Sequence, residues 1–296
     1  MKNQFIGHER QINFLRKITS DNNLAQAYIF SGPEKIGKFT LAKFWAQSLI
    51  YQKPLFAGEK LVFSDDLLII TPLLKEKGNR MEEKDISVKT VREMSQKLSL
   101  YPGTGEKRVL IIDQAQRLTV EAQNALLKNM EEPNDTSLII LITHKEKDIL
   151  DTVKSRCQIV NFSLVPTSVM LKAGWDKETV YFSMGRPGIA RELKDNAGRK
   201  KEYQETFQDL QNLLQRNFPV FQRFQMAEKY ALDKTVLINR LNFWIWILWL
   251  RAYREADFQL KKSLYLKIES IEKSLEKITD SNVNFRLETE NLILNL

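Results

Sequence analysis

VLIIDQAQRL, residues 109–118, is the stretch that decides the fold of this chain. Four consecutive aliphatic residues followed by an acid predict a strand that is buried on both faces of a parallel sheet. The acid, Asp113, would then lie at the carboxyl end of the strand, where open α/β sheets bind their ligands. The stretch therefore predicts an α/β fold with a site at one edge of a parallel sheet.

The two residues after this strand, Asp113 and Gln114, indicate whether the chain could hydrolyse a nucleotide. In nucleotide-binding ATPases of this outline the acid holds Mg²⁺, and the next residue is usually a glutamate that polarises the attacking water. Here the next residue is Gln114, and an amide cannot accept a proton as a base does. The sequence therefore has the outline of an ATPase but is altered at the chemical step.

A second segment, AYIFSGPEKIGKFT at residues 27–40, fits the same fold. It reads as a strand, a loop of the G-x-x-x-x-G-K type and the start of a helix, which is the context that a phosphate-binding loop requires. Gly32 and Gly37 allow the backbone N–H groups to surround an anion, and Lys38 can reach the outer phosphates. The segment predicts a phosphate-binding loop, or P-loop.

The loop departs from the pattern at one position. A serine or threonine whose hydroxyl binds Mg²⁺ should follow Lys38, but Phe39 stands there. Thr40 is one residue later and is rotated by about 100° around the helix, so it is not a simple replacement. Two interpretations stay open, residual nucleotide binding and a helix-capping turn that is now only structural.

Further apolar runs extend the predicted sheet. Strands are predicted at residues 27–31, 67–70, 109–112, 138–142 and 158–162, with helices at 86–98 and 120–132 between them. This alternation favours βαβ units and a parallel sheet covered on both faces. The charged segment 75–85 predicts a solvated loop. After residue 165 the strand signal stops, and the rest of the chain predicts helices.

Composition limits the class of protein. Lys and Arg number 45 against 37 Asp and Glu, a net charge of +8 that favours an acidic partner but is also common on plain soluble surfaces. One cysteine excludes an internal disulfide, and two histidines beside it are too few for a zinc site. The start lacks a signal-peptide core, and the most apolar run, residues 241–250, is too short to span a membrane. We expect a cytoplasmic protein.

Two motifs resemble one known family. Residues 117–133, RLTVEAQNALLKNMEEP, resemble the A-x-N-A-L-L-K-x-x-E-E-P signature of bacterial clamp-loader subunits, and residues 152–157, TVKSRC, resemble their S-R-C motif. Together with the loop upstream, the resemblance covers residues 1–165 clearly and residues 185–190 weakly. The family is the AAA+ clamp loader of the DNA polymerase III holoenzyme.

The resemblance implies the architecture and the partners. It implies an AAA+ P-loop parallel-sheet module at residues 1–165, a small helical lid at 166–198 and an all-α collar for oligomerisation at 199–296. It also implies assembly with motor and delta subunits in a heteropentamer, which acts on primed DNA and a sliding clamp. No membrane partner is implied, and the DNA-contacting residues are not predicted.

Within this family the chain resembles the member that does not hydrolyse ATP. Both Phe39 and Gln114 depart from what a motor subunit needs. In the family the S-R-C arginine acts in trans, so the resemblance implies that Arg156 projects into the ATP site of a neighbouring motor subunit. A guanidinium suits that role because it is permanently charged and can stabilise transition-state charge on phosphate oxygens.

The resemblance also implies a degenerate nucleotide site. Its residues are Gly32, Gly37, Lys38, Thr40, Asp113 and Thr143, the last matching the family's first polar sensor. The lid arginine that senses the γ-phosphate has no match, since Gly188 occupies its slot. Many relatives carry a four-cysteine zinc module near residues 51–66, where this chain has no cysteine. We therefore expect no zinc and no required cofactor, with ATP and Mg²⁺ binding left open.

Two other functions stay open. One is an active AAA+ ATPase, either a motor subunit or a helicase loader. It would require that Gln114 is tolerated and that Mg²⁺ is held by water or by Asp113 alone. The other is a plain scaffold that neither binds nucleotide nor donates an arginine.

Overall fold

The computed structural model describes residues 5–55, 64–77, 80–103, 105–132, 134–215, 217–279 and 283–296. The strands are Ala27–Ser31 (β1), Leu67–Ile70 (β2), Leu74–Lys77 (β3), Arg80–Glu83 (β4), Arg108–Ile112 (β5), Ser137–Thr143 (β6) and Gln158–Asn161 (β7). The helices are Glu9–Ser20 (α1), Lys38–Tyr51 (α2), Val88–Leu98 (α3), Val120–Glu131 (α4), Asp151–Lys154 (α5), Thr167–Lys172 (α6), Lys177–Phe182 (α7), Pro187–Asp195 (α8), Ala197–Leu213 (α9), Val220–Tyr230 (α10), Lys234–Arg254 (α11), Phe258–Thr279 (α12) and Phe285–Asn295 (α13).

The main sheet has five parallel strands in the order β2-β5-β6-β1-β7. Every residue of the three central strands β5, β6 and β1 is buried. A strand covered on both faces has no solvent side, so it needs continuous apolar residues rather than alternation. The predicted parallel sheet and its five strands are therefore confirmed.

Helices cover both faces of this sheet. On one face, Leu41 and Trp45 of α2 pack with Tyr28 and Phe30 of β1 in a single buried cluster. On the other face, Ile29 belongs to a second cluster that includes residues of α3 and α4. Because successive side chains of a strand point to opposite faces, neighbouring residues of β1 enter different clusters.

The charged segment between β2 and α3 differs from its prediction. It forms an antiparallel hairpin of β3 and β4 instead of a loop, so that prediction was wrong. The hairpin stands apart from the main sheet and pairs only within itself in the described ranges. A strand without an apolar face leaves no periodic signal in the sequence, which is why the pattern did not reveal it.

The chain divides into two compact units. The first consists of residues 1–180 with 185–189, and the second of residues 181–184 with 190–296. The predicted boundaries of the lid, 166–198, and of the collar, 199–296, stay predictions. Residues 56–63, within the segment expected to lack a zinc module, lie outside the described residues.

The regular secondary structure in the described part of the second unit is all helical. Trp244 of α11 is completely buried, and its Nε1 donates a hydrogen bond to the carbonyl oxygen of Thr206 at 2.9 Å. Phe243 packs edge-on against Phe182 and Tyr203, with ring centroids 5.6 and 5.1 Å apart. Phe243 and Trp244 of α11 therefore belong to the core of this unit. None of the helices in the described ranges combines the length and the apolarity needed to cross a bilayer.

Candidate nucleotide site and exposed arginine

The predicted nucleotide-site residues meet at the carboxyl edge of the main sheet. Residues 32–37 follow β1, Asp113 follows β5, and Thr143 ends β6. A cavity of about 430 Å³ lies between them. Of the predicted residues it is lined by Gly37, Lys38, Thr40, Asp113 and Thr143. Gly32 lies in the same loop, where its carbonyl oxygen faces Lys38.

Two glycines make the loop conformation accessible. Gly37 has φ +105° and immediately precedes α2, a left-handed conformation that residues with a Cβ rarely adopt. At Gly32 a Cβ would lie 2.3 Å from the carbonyl oxygen of Phe162. The loop can therefore turn sharply and approach the segment after β7 only because both positions are glycine.

Lys38 bonds to the loop that it would use to bind a phosphate. It is only 6% exposed, and its Nζ donates hydrogen bonds to the carbonyl oxygens of Gly32 and Pro33 at 2.5 and 2.6 Å. Burial lowers the pKa of Lys38 to about 8, although the charges of Asp113 and Glu34 oppose the shift. Burial also raises the pKa of Asp113.

The low pKa of Lys38 predicts a specific pH dependence of stability. Its folded pKa of about 8 lies below the ordinary 10.5, so the folded chain loses this proton first as the pH rises. Between these values the unfolded chain holds more protons, and stability rises with pH by up to about 1.4 kcal/mol per unit. We expect the wild type to gain stability over Lys38→Met between pH 8 and 10.

Urea unfolding of both proteins at several pH values measures this difference. Lys17→Met is the matched control, because Lys17 is an exposed residue of α1, and its stability difference from the wild type is expected to stay constant. A constant difference for Lys38→Met as well would show that the ammonium is not desolvated in the folded protein.

A polar network connects the end of β6 to the loop. Thr143 Oγ1 donates to Gln116 Oε1 at 2.9 Å, and Gln116 Nε2 lies 3.0 Å from Nδ1 of His144. The same Nδ1 lies 2.9 Å from Glu34 Oε1, and this contact lowers the pKa of Glu34. The predicted sensor residue and the loop therefore already have partners within the chain.

Glu83 is a cavity residue that the sequence did not indicate. It ends β4, and its carboxylate accepts hydrogen bonds from Gln114 Nε2 at 2.7 Å and from Arg117 Nε at 3.0 Å. Gln114, at the position of the usual catalytic glutamate, thus donates a hydrogen bond to the carboxylate of Glu83. No sequence signal could have found Glu83, because it belongs to the unpredicted hairpin.

Arg186 is the second residue missed. Its charge lowers the pKa of Glu34 and opposes protonation of Lys38, so it lies near the loop. Its Nε is buried and has no hydrogen-bond partner among the described residues.

Gly188 packs closely against the loop. Its N–H donates to the Lys35 carbonyl oxygen at 2.8 Å, and a Cβ at position 188 would lie 2.7 Å from that oxygen. No side chain fits at the lid-arginine slot without a shift.

The cavity keeps groups that can bind an anion and differs at two positions from the usual Mg²⁺–nucleotide site. The buried Lys38 and the loop suit a phosphate. Phe39 presents an aromatic ring where a hydroxyl ligand is needed, with Lys43 Nζ 4.5 Å from its centroid. Position 114 provides an amide in place of a carboxylate, so two groups that Mg²⁺-dependent hydrolysis ordinarily uses are replaced here.

Arg156 lies outside this cavity. It follows α5, and its side chain is 38% exposed. Nη2 contacts Glu131 Oε1 at 2.7 Å, and Nη1 donates to the carbonyl oxygen of Thr152 at 3.0 Å. Burial raises the pKa of the adjacent Cys157 to about 12, so this thiol is not an activated nucleophile. The guanidinium is therefore on the surface of the first unit.

Sequence comparison identifies the family. The pattern of the family described as "DNA polymerase III, delta subunit" matches residues 7–166. The chain belongs to this family. It is 34% identical to the delta-prime subunit of Pseudomonas aeruginosa over 143 residues, which are 45% of this chain and 42% of that protein. The clamp-loader family predicted from the two motifs is confirmed, and the relatives of this chain include delta-prime subunits, the type that Phe39 and Gln114 indicated.

Other relatives support the same assignment. The delta-prime subunit of Haemophilus influenzae is 24% identical over 208 residues, 67% of this chain and 60% of that protein. The tau subunit of Bacillus subtilis is 26% identical over 173 residues, 56% of this chain and 30% of that protein. In each case the matching segment spans less than two thirds of the relative.

A solved structure shares the fold. The DNA polymerase III gamma subunit-related protein of Thermotoga maritima superposes with a TM-score of 0.55 at 18% identity, covering 96% of this chain and 97% of that chain. At this identity the likeness concerns the fold alone. It agrees with a parallel-sheet module followed by helices, and the predicted fold class is confirmed.

Proposed function

We propose that this member of the family is a non-catalytic clamp-loader subunit of the replicative DNA polymerase III holoenzyme. It supports the ring and donates Arg156 as an arginine finger to the ATP site of a neighbouring subunit. The observation that carries the proposal is the position of Arg156, exposed on the first unit and outside the chain's own cavity. The chain would complete a neighbour's active site while performing no hydrolysis itself.

The chain's own cavity supports the non-catalytic part. Lys38, Thr143 and Gln114 each bond to groups of the same chain. A nucleotide would have to displace the two carbonyl contacts of Lys38 and would find neither a hydroxyl at position 39 nor a carboxylate at position 114. We infer that no cofactor, neither ATP with Mg²⁺ nor zinc, is required for this role.

The partners follow from the same proposal. The chain would join motor and delta subunits in a cytoplasmic heteropentamer, with residues 199–296 as the oligomerisation collar. Primed DNA and the sliding clamp would be met through the complex. The direct test compares the ATP turnover of the loader assembled with the wild-type chain and with Arg156→Ala. We expect the turnover to be strongly reduced in the variant.

One observation favours a second candidate, an active AAA+ ATPase acting as a motor subunit or helicase loader. The cavity still brings Lys38 and Asp113 together, and each affects the other's pKa. We expect the isolated chain to show no Mg²⁺-dependent ATP turnover above that of Lys38→Ala. A measurable turnover that Lys38→Ala abolishes would favour the ATPase instead.

The same two variants also test the alternative that the chain is a plain scaffold. If assembly and the neighbour's hydrolysis are both normal with Arg156→Ala and with Lys38→Ala, neither site has a role. The chain would then contribute only its surfaces to the ring.

A further inference from the structure

The exposed arginine has an acidic partner on another helix. Glu131 is the last residue of α4, and its Oε1 lies 2.7 Å from Arg156 Nη2. The two side chains are 50% and 38% exposed, so both can also be reached from outside the chain. The next residue, Glu132, is exposed as well but forms no ion pair within the described part of the chain.

The position of Glu131 does not stabilise its own helix. The C-terminal end of a helix carries a partial negative charge, and an acid there is electrostatically unfavourable. What Glu131 contributes is therefore its contact with the guanidinium. The contact joins the end of α4 to the segment after α5.

Pairing changes what Arg156 can offer to a third group. Nη1 donates to the Thr152 carbonyl oxygen and Nη2 contacts Glu131, so two of the three guanidinium nitrogens are engaged. A guanidinium next to a carboxylate presents little net charge to an approaching anion. An arginine that stabilises negative charge on a phosphate needs its own positive charge free of a neighbouring carboxylate.

We propose that Glu131 is a counter-ion that holds Arg156 until a nucleoside triphosphate in the neighbouring subunit displaces it. The inference rests on the proposed function and adds a regulation to it. An exposed ion pair is weak, whereas a triphosphate carries several negative charges. The carboxylate therefore releases the guanidinium to a triphosphate-loaded neighbour and retains it beside an empty one. Near the phosphates, Glu131 would also repel their charge.

The test replaces the carboxylate with an amide of the same shape. In the assembled loader at subsaturating ATP, Glu131→Gln is expected to raise ATP turnover about two- to fivefold, the range that a weak exposed pair permits. The increase should disappear at high ionic strength, because salt screens an exposed pair. Glu132→Gln is the matched control and is expected to leave turnover unchanged.

A second measurement uses the isolated chain and needs no neighbour. Phenylglyoxal modifies free guanidinium groups, and mass spectrometry of the peptide containing Arg156 gives the rate at this residue. We expect Glu131→Gln to increase that rate and Glu132→Gln to leave it unchanged. An unchanged rate in Glu131→Gln would mean that the pair does not form in solution, which overturns the inference.

The outcomes separate this inference from the proposed function. If Arg156→Ala impairs turnover but Glu131→Gln does not raise it, only the counter-ion role is wrong. Turnover that falls in Glu131→Gln would show instead that the carboxylate orients the finger. If Arg156→Ala has no effect on turnover, the finger and its counter-ion are both wrong.

Discussion

Replacing Arg156 with alanine is expected to lower ATP hydrolysis at the neighbouring subunit's site about 10³-fold, the lower end of the effect of arginine fingers in phosphoryl transfer. The guanidinium would lie against the phosphates as they develop transition-state charge, and the alanine methyl group offers no replacement. The measurement is single-turnover hydrolysis in a loader whose other motor sites have been silenced. Assembly, followed by gel filtration, should be unaffected because the residue is on the surface.

Two variants make this experiment specific. Arg156→Lys keeps the positive charge but loses the planar fork of donors, so we expect an intermediate rate. Arg92→Ala removes an exposed arginine of α3, elsewhere on the same unit, and should not change the rate. Hydrolysis that is undiminished in Arg156→Ala, in a complex of normal composition, would refute the finger assignment.

The second large effect concerns stability. Asp66 is completely buried, and its carboxylate accepts hydrogen bonds from Arg108 Nε and Nη2 at 3.1 and 2.9 Å. It also accepts from the backbone N–H groups of Gly103 and Gly105 at 2.9 and 3.1 Å. Asp66→Ala would leave these four donors, two of them on the charged guanidinium of Arg108, without their acceptor. We expect a loss of about 3–5 kcal/mol in the free energy of unfolding.

Thermal and urea denaturation measure this loss. For a unit of this size it corresponds to a fall in melting temperature of about 10 °C. Asp65→Ala is the matched control, because Asp65 is the preceding residue and is exposed, and it should change the melting temperature little. Equal melting temperatures for the two variants would show that the buried carboxylate is not what orders the segment before β5.

The sequence predicted the main sheet because burial on both faces leaves a local signal. The aliphatic runs at 27–31, 109–112 and 138–142 were found as strands, since each must be apolar along its whole length. The proximity of Lys38 and Asp113 could be predicted from the topology, because parallel strands bring their carboxyl ends to one edge of the sheet. Those inferences needed only periodicity and a loop motif.

The rest of the site depends on contacts that leave no periodic pattern. Glu83 lines the cavity from a charged hairpin, and the charge of Arg186 acts on Glu34 and Lys38 from a break before α8. The pair between Glu131 and Arg156 joins residues 25 positions apart whose types are ordinary on any surface. Such contacts depend on how helices are placed in space, and a single sequence does not specify that placement residue by residue.

The hydrogen bond between Gln114 and Glu83 bears on how this protein could evolve. Gln114→Glu, the single change that would restore a carboxylate to that position, would set two acids 2.7 Å apart where an amide now donates. Like charges at that separation force one acid to take a proton or to move away. A glutamate at position 114 would therefore be accommodated most easily together with a change at position 83, so we expect the two positions to change together in evolution.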